Sequence, residues 1–311
     1  MVERKTRTVS IALLVADTPP PNVVDKRGRY PQIYNAWLQK SLASIPRHGW
    51  MDKIEVELTP FDVVNEGKFP DEGMLRDGLF DAIMVTGSAS SAYLDLPWAN
   101  RLAEYIANVK ENHPLVRIIG ICYGHQIVAR ALGAHVELNE KGGWEVGSYE
   151  CDLTEEGREM LGYGEEEAVL RIQECHRDHV TEVPRGCELL ASTTKSPIQG
   201  FALRYPTEAP PLPSTAGTSE YTAFDISDFG TDSSGPMPAR SAQVMTLQGH
   251  PEFDEEIVTA LIFAKTEMGV VTDDFKDEAL ERARKPHDGT RIGAAFLAML
   301  GVEPRKTDVE L

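Results

Sequence analysis

The chain of 311 residues is 41% hydrophobic and 26% charged, an ordinary globular balance with enough apolar content for a core in one large or two modest domains. With 49 acidic against 31 basic residues its net charge is -18, which speaks against nucleic acid and anionic membrane as partners, since both select a basic face. No stretch approaches the roughly 20 apolar residues that cross a bilayer, and the apolar run Ile11 to Ala16 ends at Asp17, too early for a secretory signal.

Four short, continuous, β-branched runs punctuate the first half: Val9 to Val15, Ile54 to Leu58, Ala82 to Val85 and Val116 to Ile121. Such runs suit strands buried on both faces. Helix-like stretches lie between them at Gln32 to Ile45, Trp98 to Asn112 and Tyr123 to Leu132. The alternation predicts an α/β fold in three layers, a mostly parallel central sheet with flanking helices and right-handed crossovers. In the second half Glu145 to Asp152, Val169 to Glu174, Glu188 to Thr193, Gln199 to Arg204 and Ala242 to Leu247 read as short strands with few helices between them. They predict a mixed extension of the sheet that returns to the core.

Residues 206–240 are rich in Pro, Ser, Thr and Gly and read as a flexible surface insertion, with a brief strand at Tyr221 to Asp225. Its place just before His250 leaves two roles open, an inert loop or a lid. Helical periodicity resumes at Asp254 to Met268, Asp274 to Lys285 and Ile292 to Leu300, and the polar segment Glu303 to Leu311 reads as a frayed end. The whole of 1–311 is read as one domain, with its core over about 9–268 and C-terminal helices over 269–302.

The four cysteines, Cys122, Cys151, Cys175 and Cys187, contain no CxxC pair and are too few for a disulfide scaffold, so the chain reads as cytoplasmic with reduced thiols. One of them stands out. In Ile118-Ile-Gly-Ile-Cys-Tyr-Gly-His-Gln126 an apolar strand runs into Gly-x-Cys-x-Gly and a helical stretch follows. This is the cysteine version of a strand-to-helix nucleophile elbow, in which small residues two positions either side let the chain turn tightly. Cys122 then sits at a helix N-terminus, where exposed N–H groups favour the thiolate, and the amide of Tyr123 is placed to donate to an oxyanion. A small buried hydrophobe is the alternative for Cys122, but it leaves both flanking glycines unexplained. The other cysteines have no comparable context and read as structural.

A thiolate needs an imidazole to move protons, and the imidazole needs an acceptor on its other nitrogen. Among eight histidines the one that fits is in Val244-Met-Thr-Leu-Gln-Gly-His-Pro-Glu-Phe253. His250 falls after a strand, and in extended backbone residues i and i+2 project to the same side, so Glu252 can reach the ring. A turn after a core strand is the alternative; pairing with the cysteine elbow outweighs it. Parallel sheets gather functional residues at the C-terminal ends of their strands, which closes the long gap between Cys122 and His250.

Gly120-Ile-Cys-Tyr-Gly-His-Gln126 and Gly249-His-Pro-Glu252 together resemble the class I glutamine amidotransferase domain, which is flavodoxin-like in fold, and are most similar to the glutaminase part of GMP synthetase. Val85-Thr-Gly-Ser-Ala-Ser-Ser91, Gly143-Trp-Glu-Val-Gly147 and Cys175-His-Arg-Asp-His-Val180 resemble further segments of that family, so the likeness spans about residues 9–268. It implies Cys122, His250 and Glu252 as catalytic residues and an oxyanion hole at Gly87 or Ser88 with Tyr123. It also implies contacts from Gln126, His176 and Asp178 to the amino-acid part of a substrate, and an orienting role for His125. Cys175 and His179 beside His176 do not complete a zinc ligand set, and no metal or cofactor is expected.

No synthetase domain follows the motifs, and the segment Asp17 to Pro31 is longer than a bare βα turn. That segment resembles the stand-alone amidotransferase-like proteins and γ-glutamyl peptidases, in which it borders the pocket. The expected function is therefore cysteine-dependent hydrolysis of a γ-glutamyl amide, glutamine or a γ-glutamyl peptide or conjugate, through a thioester. A glutaminase subunit feeding ammonia to a separate synthetase is one alternative. A non-catalytic binding or regulatory protein on the same fold is the other, and the intact Cys, His and Glu argue against it.

Overall fold

The computed structural model describes residues 7–46, 54–213 and 238–302. Residues 214–237 of the expected insertion, including its Tyr221 to Asp225 strand, therefore lie outside the described residues, as does the end from Glu303; residues 206–213 and 238–240 are described.

The core is a nine-stranded sheet in the order β2-β1-β3-β4-β11-β10-β9-β6-β7. Its first half is parallel: β1 (Arg7–Val15) pairs with β2 (Ile54–Asp62) and β3 (Ala82–Val85), and β4 (Arg117–Ile121) lies between β3 and β11 (Ala242–Leu247). The second half is antiparallel, made of β10 (Gly200–Arg204), β9 (Glu188–Ser192), β6 (Glu145–Leu153) and β7 (Val169–His176). The mixed extension expected from the sequence is this half. A two-stranded sheet of β5 (Val136–Leu138) and β8 (Asp178–Val180) stands apart.

Both faces of the central strands β3 and β4 are covered, and these are buried at every position. The edge strand β2 alternates buried and exposed, with Glu55 and Glu57 in solvent, so the expected burial on both faces does not hold for Ile54 to Leu58. Along β1 the side chains alternate: Val9, Ile11 and Leu13 enter one buried cluster, Ala12 and Leu14 the other. On the first face α2 (Tyr30–Ser44), α7 (Glu255–Glu267) and α9 (Gly289–Met299) contribute Tyr34, Trp37, Ile257, Val258 and Phe296. On the other, α4 (Pro97–Asn112) and α5 (Tyr123–Ala131) contribute Leu102, Ile106 and Ile127. The helix α8 (Asp273–Ala283) packs on β6 in the antiparallel half.

Three short helices were not foreseen: α1 (Pro21–Arg27), α3 (Glu72–Arg76) and α6 (Glu155–Leu161). The first lies inside the segment read as a long loop, and its Pro21 occupies a first-turn position that proline tolerates. Among the described residues no helix is long and apolar enough to cross a membrane.

The parallel arrangement fixes the place of the site. The register aligns Leu14 with Val85, Val85 with Gly120, and Ile121 with Leu247. The residues that follow, Asp17, Gly87, Cys122 and His250, therefore emerge along one edge of the sheet.

Candidate active site

Cys122 joins β4 to α5 with φ 55° and ψ -106°, and it is the one non-glycine residue with positive φ among the described residues. A side chain held there costs on the order of 1–3 kcal/mol and persists only if its surroundings over-determine it. They do. The Cys122 N–H donates to Leu247 O at 2.9 Å, and the Cys122 carbonyl accepts from Gln126 N–H at 3.1 Å as the helix begins. A Cβ on Gly120 would lie 2.6 Å from Gly124 O, and one on Gly124 would lie 2.3 Å from Val85 O. The two glycines thus allow helix and strand to close onto the elbow and onto β3. Gly124→Ala must push α5 off β3, so urea denaturation of that variant is expected to show a loss of at least about 2 kcal/mol.

The imidazole of His250 is nearly closed to solvent, and its Nδ1 lies 2.8 Å from Glu252 Oε1. The Glu252 side chain is itself fully buried. The His250 N–H donates to Gln173 O at 2.7 Å, tying the chain after β11 to β7, and the ring stacks on Phe253 at 3.9 Å between centroids. With Nδ1 committed to Glu252, Nε2 is left free to serve the Cys122 side chain, which lies close enough to act on the ring. Burial opposes a charge on this ring, but the negative charges of Cys122 and Glu252 and the hydrogen bond to Glu252 overcome burial and hold its pKa well above the usual 6.5. The structure therefore brings Cys122, His250 and Glu252 together in a row, with the His250–Glu252 hydrogen bond formed and Cys122 close enough to act on the ring.

Gly87 lies against the same imidazole: a Cβ there would be 2.8 Å from His250 Cε1. The turn it belongs to is held from several sides. Thr86 N–H donates to Leu14 O at 3.1 Å, Ala16 N–H to Thr86 Oγ1 at 3.0 Å, and Ala89 N–H to Asp17 Oδ2 at 2.7 Å. Ser88 meets the same carboxylate oxygen through its hydroxyl at 3.5 Å. Tyr123 is the first residue of α5, so its N–H has no intrahelical acceptor. Its ring packs on Trp98 at 5.5 Å, on the far face.

The remaining predicted residues sit beside the row rather than in it. Gln126 is buried and its Nε2 donates to Asp178 O at 2.9 Å and Gln248 Oε1 at 3.0 Å, joining α5, β8 and the end of β11. His125 bonds Thr246 Oγ1 at 2.8 Å, and burial, then the charge of His176, pushes its pKa down to about 3, so the ring is neutral. The His176 ring is committed to the protein on both sides. Nδ1 lies 2.9 Å from Asp178 O, while Nε2 lies 3.1 Å from Glu145 Oε2 and 3.3 Å from Glu174 Oε2. Asp178 is half-buried, and its carboxylate accepts no hydrogen bond among the described residues.

Several neighbours escaped the sequence reading. Tyr30 and Tyr34 of α2 are buried close enough to feel the charges of Cys122 and Glu252. Glu145 and Glu174, both with no exposed side-chain surface, clasp His176 behind the row. For Glu174 a signal existed, since Glu174-x-His176 repeats the i, i+2 spacing of His250-x-Glu252. Among the described residues no group of three or more His, Cys, Asp or Glu side chains is arranged to hold a metal ion.

Comparison with known proteins agrees with this fold. The profile of the class-I glutamine amidotransferase family matches residues 48–207. A protein of Schizosaccharomyces pombe described as glutamine amidotransferase-like is 30% identical over 293 residues, covering 93% of this chain and 98% of that one. Gamma-glutamyl peptidase 3 of Arabidopsis thaliana is 27% identical over 219 residues, 70% of this chain and 71% of that one. In fold, a glutamine amidotransferase of Thermotoga maritima superposes with a TM-score of 0.58 at 16% identity, over 94% of this chain and 96% of that one.

Proposed function

The chain belongs to the class-I glutamine amidotransferase family, and on that premise we propose that it is a cysteine amidase that hydrolyses a γ-glutamyl amide through a γ-glutamyl thioester on Cys122. One observation carries the proposal: a strained cysteine at a strand-to-helix elbow beside a histidine that is already held by a buried carboxylate.

The chemistry follows from the positions. The Cys122 thiolate attacks the γ-carbonyl carbon, the new C–S bond forms, and the carbonyl electron pair moves onto oxygen. Backbone N–H groups of Gly87 or Ser88 and of Tyr123 stabilise that oxygen. As the intermediate collapses, the C–N bond breaks and the His250 imidazolium gives its proton to the departing amine. Water then attacks the thioester while His250 takes its proton, the C–S bond breaks, and glutamate leaves. Glu252 keeps the ring oriented and its charge compensated throughout.

The fixed α-carbon end of the substrate belongs to the Gln126, His176 and Asp178 region in this reading. The ring of His176 is spent on the protein, so its part is to place the Arg177–Asp178 backbone, and the Asp178 carboxylate is left to meet an α-ammonium group. The likeness to gamma-glutamyl peptidase 3 favours a leaving amine larger than ammonia. Purified protein assayed on glutamine and on γ-glutamyl dipeptides or glutathione conjugates decides this. Glutamate release that is faster from the conjugates supports the peptidase reading, and release from glutamine alone favours ammonia supply to a separate synthetase. No release from either class refutes the amidase.

The raised pKa of His250 sets a pH dependence. The imidazolium that must protonate the leaving amine persists at neutral pH, and the alkaline limb of kcat/KM is expected above the ordinary histidine value of 6.5. Glu252→Gln removes one of the charges that hold the proton, so the limb should move down toward neutrality and kcat should fall at least about 10²-fold. An unmoved limb would show that Glu252 does not act on His250.

A further inference from the structure

The geometry points to the Tyr34 side chain as a donor in the oxyanion hole, an inference that rests on the amidase reading above. The Gly87 N–H is not idle in the resting structure: it donates to Tyr34 Oη at 3.4 Å. That distance is at the long edge for an N–H···O hydrogen bond, so the contact yields readily to a stronger acceptor. What lies where Gly87 N–H points is thus a phenol oxygen, beside a glycine pressed against His250.

Tyr34 is held for this task. It is fully buried on α2 and packs edge-to-face with Tyr30 at 6.0 Å and with Trp37 at 6.0 Å. Trp37 in turn donates to Gly289 O at 2.8 Å and packs edge-to-face on Phe296 at 6.1 Å. The ring therefore stays beside Gly87 and only a small local shift re-aims its hydroxyl, which is what a preorganised donor requires. Burial, followed by the charges of Glu252 and Tyr30, keeps the hydroxyl protonated far into alkaline pH, outweighing the Gly87 hydrogen bond that acts the other way. Its oxygen accepts from Gly87, while its own proton has no acceptor among the described residues.

When a γ-carbonyl oxygen enters this space and gains charge, Gly87 N–H exchanges the phenol oxygen for it. The Tyr34 O–H, adjacent to that amide, turns its unused proton to the same oxygen. The phenol thus masks the hole when the site is empty and completes it when charge develops. No bond to Tyr34 forms or breaks.

Tyr34→Phe tests this, because it keeps the ring and its packing and removes only the hydroxyl. Turnover of γ-glutamyl-p-nitroanilide is expected to fall by about 10²–10³-fold in kcat, the size of one lost oxyanion donor, with KM changed less than about threefold. The rate of Cys122 alkylation by iodoacetamide, which develops no oxyanion, should stay within about twofold of wild type, and the melting temperature should show the fold retained. If kcat of Tyr34→Phe stays within about threefold of wild type, or if alkylation slows in step with turnover, the donor role is refuted. If the wild-type protein alkylates at Cys122 but turns over no γ-glutamyl compound, the amidase reading itself fails, and the inference with it.

Discussion

Cys122→Ala is expected to lower kcat by about 10⁵-fold, leaving only what the oxyanion donors and substrate binding achieve over bulk water. In the proposed mechanism loss of the nucleophile leaves no thiol to form the thioester, and neither Cys151 nor Cys187 is suited to replace it. Cys151 lies fully buried at 4.0 Å from Glu174, and burial, followed by the charge of Glu174, pushes its thiol pKa far up. Burial likewise pushes the Cys187 thiol up to about 11. The elbow adds a second readout. Cys122→Gly removes the side chain from a backbone conformation that glycine adopts without strain, so it should gain about 1 kcal/mol in urea denaturation while losing all turnover. Gain of stability with loss of activity at one position is the mark of strain held for function; a destabilised Cys122→Gly would contradict it.

His176→Ala is expected to cost about 3–5 kcal/mol of folding stability, the range for removing one partner from a buried charged group. The ring is held protonated: burial opposes its charge, but hydrogen bonds and charges from Glu145 and Glu174 raise its pKa well above 6.5. Glu145 moves the other way, below its usual 4.5. Burial would raise it, but the His176 contact and hydrogen bonds from Thr193 and Ser196 prevail. Glu174 is pushed up from its usual 4.5 by burial, against the hydrogen bond and charge of His176. The sign of each contribution follows. What His176 contributes is fully present below 6.5 and is lost as pH rises through its raised folded value. What Glu145 contributes is present above 4.5 and is lost as pH falls through its lowered one. The gap between wild type and His176→Ala in chemical denaturation should therefore be widest between about 4.5 and 6.5 and narrow at alkaline pH. A gap that widens with rising pH would contradict the assignment. Because His250 N–H is anchored on Gln173 and a Cβ on Gly249 would lie 2.6 Å from Glu174 Oε1, loosening this cluster also reaches the His250 imidazole.

The parallel half of the sheet was legible because burial on both faces leaves an unbroken apolar run, as in Ala82 to Val85. The helices α2, α4 and α5 were legible for the same reason, since each is long enough to show a repeat. The helix α3 spans Glu72 to Arg76, fewer than two turns, so no periodicity can develop. The helix α6 did carry a start signal, Thr154, whose hydroxyl accepts from Gly157 N–H at 2.9 Å. Its run of acidic residues hid the face that buries Met160 and Leu161.

In the site, residues whose spacing is local could be read directly. Cys122 lies between its glycines, and His250 is two residues from Glu252. Glu145 reaches His176 across paired strands, a register that becomes visible only when β6 and β7 are laid together. Tyr34 joins Gly87 from a helix 53 residues earlier, through ring packing that no local pattern encodes.

The central claim is the acyl-enzyme, and it is best tested by trapping it. Acid-quenching the protein during turnover of an isotopically labelled γ-glutamyl dipeptide, followed by peptide mass spectrometry, should place the labelled γ-glutamyl group on the peptide containing Cys122. The same experiment on Cys122→Ala should leave that peptide unlabelled and the dipeptide intact. Turnover without any label on Cys122, or with undiminished rate in Cys122→Ala, would contradict the account.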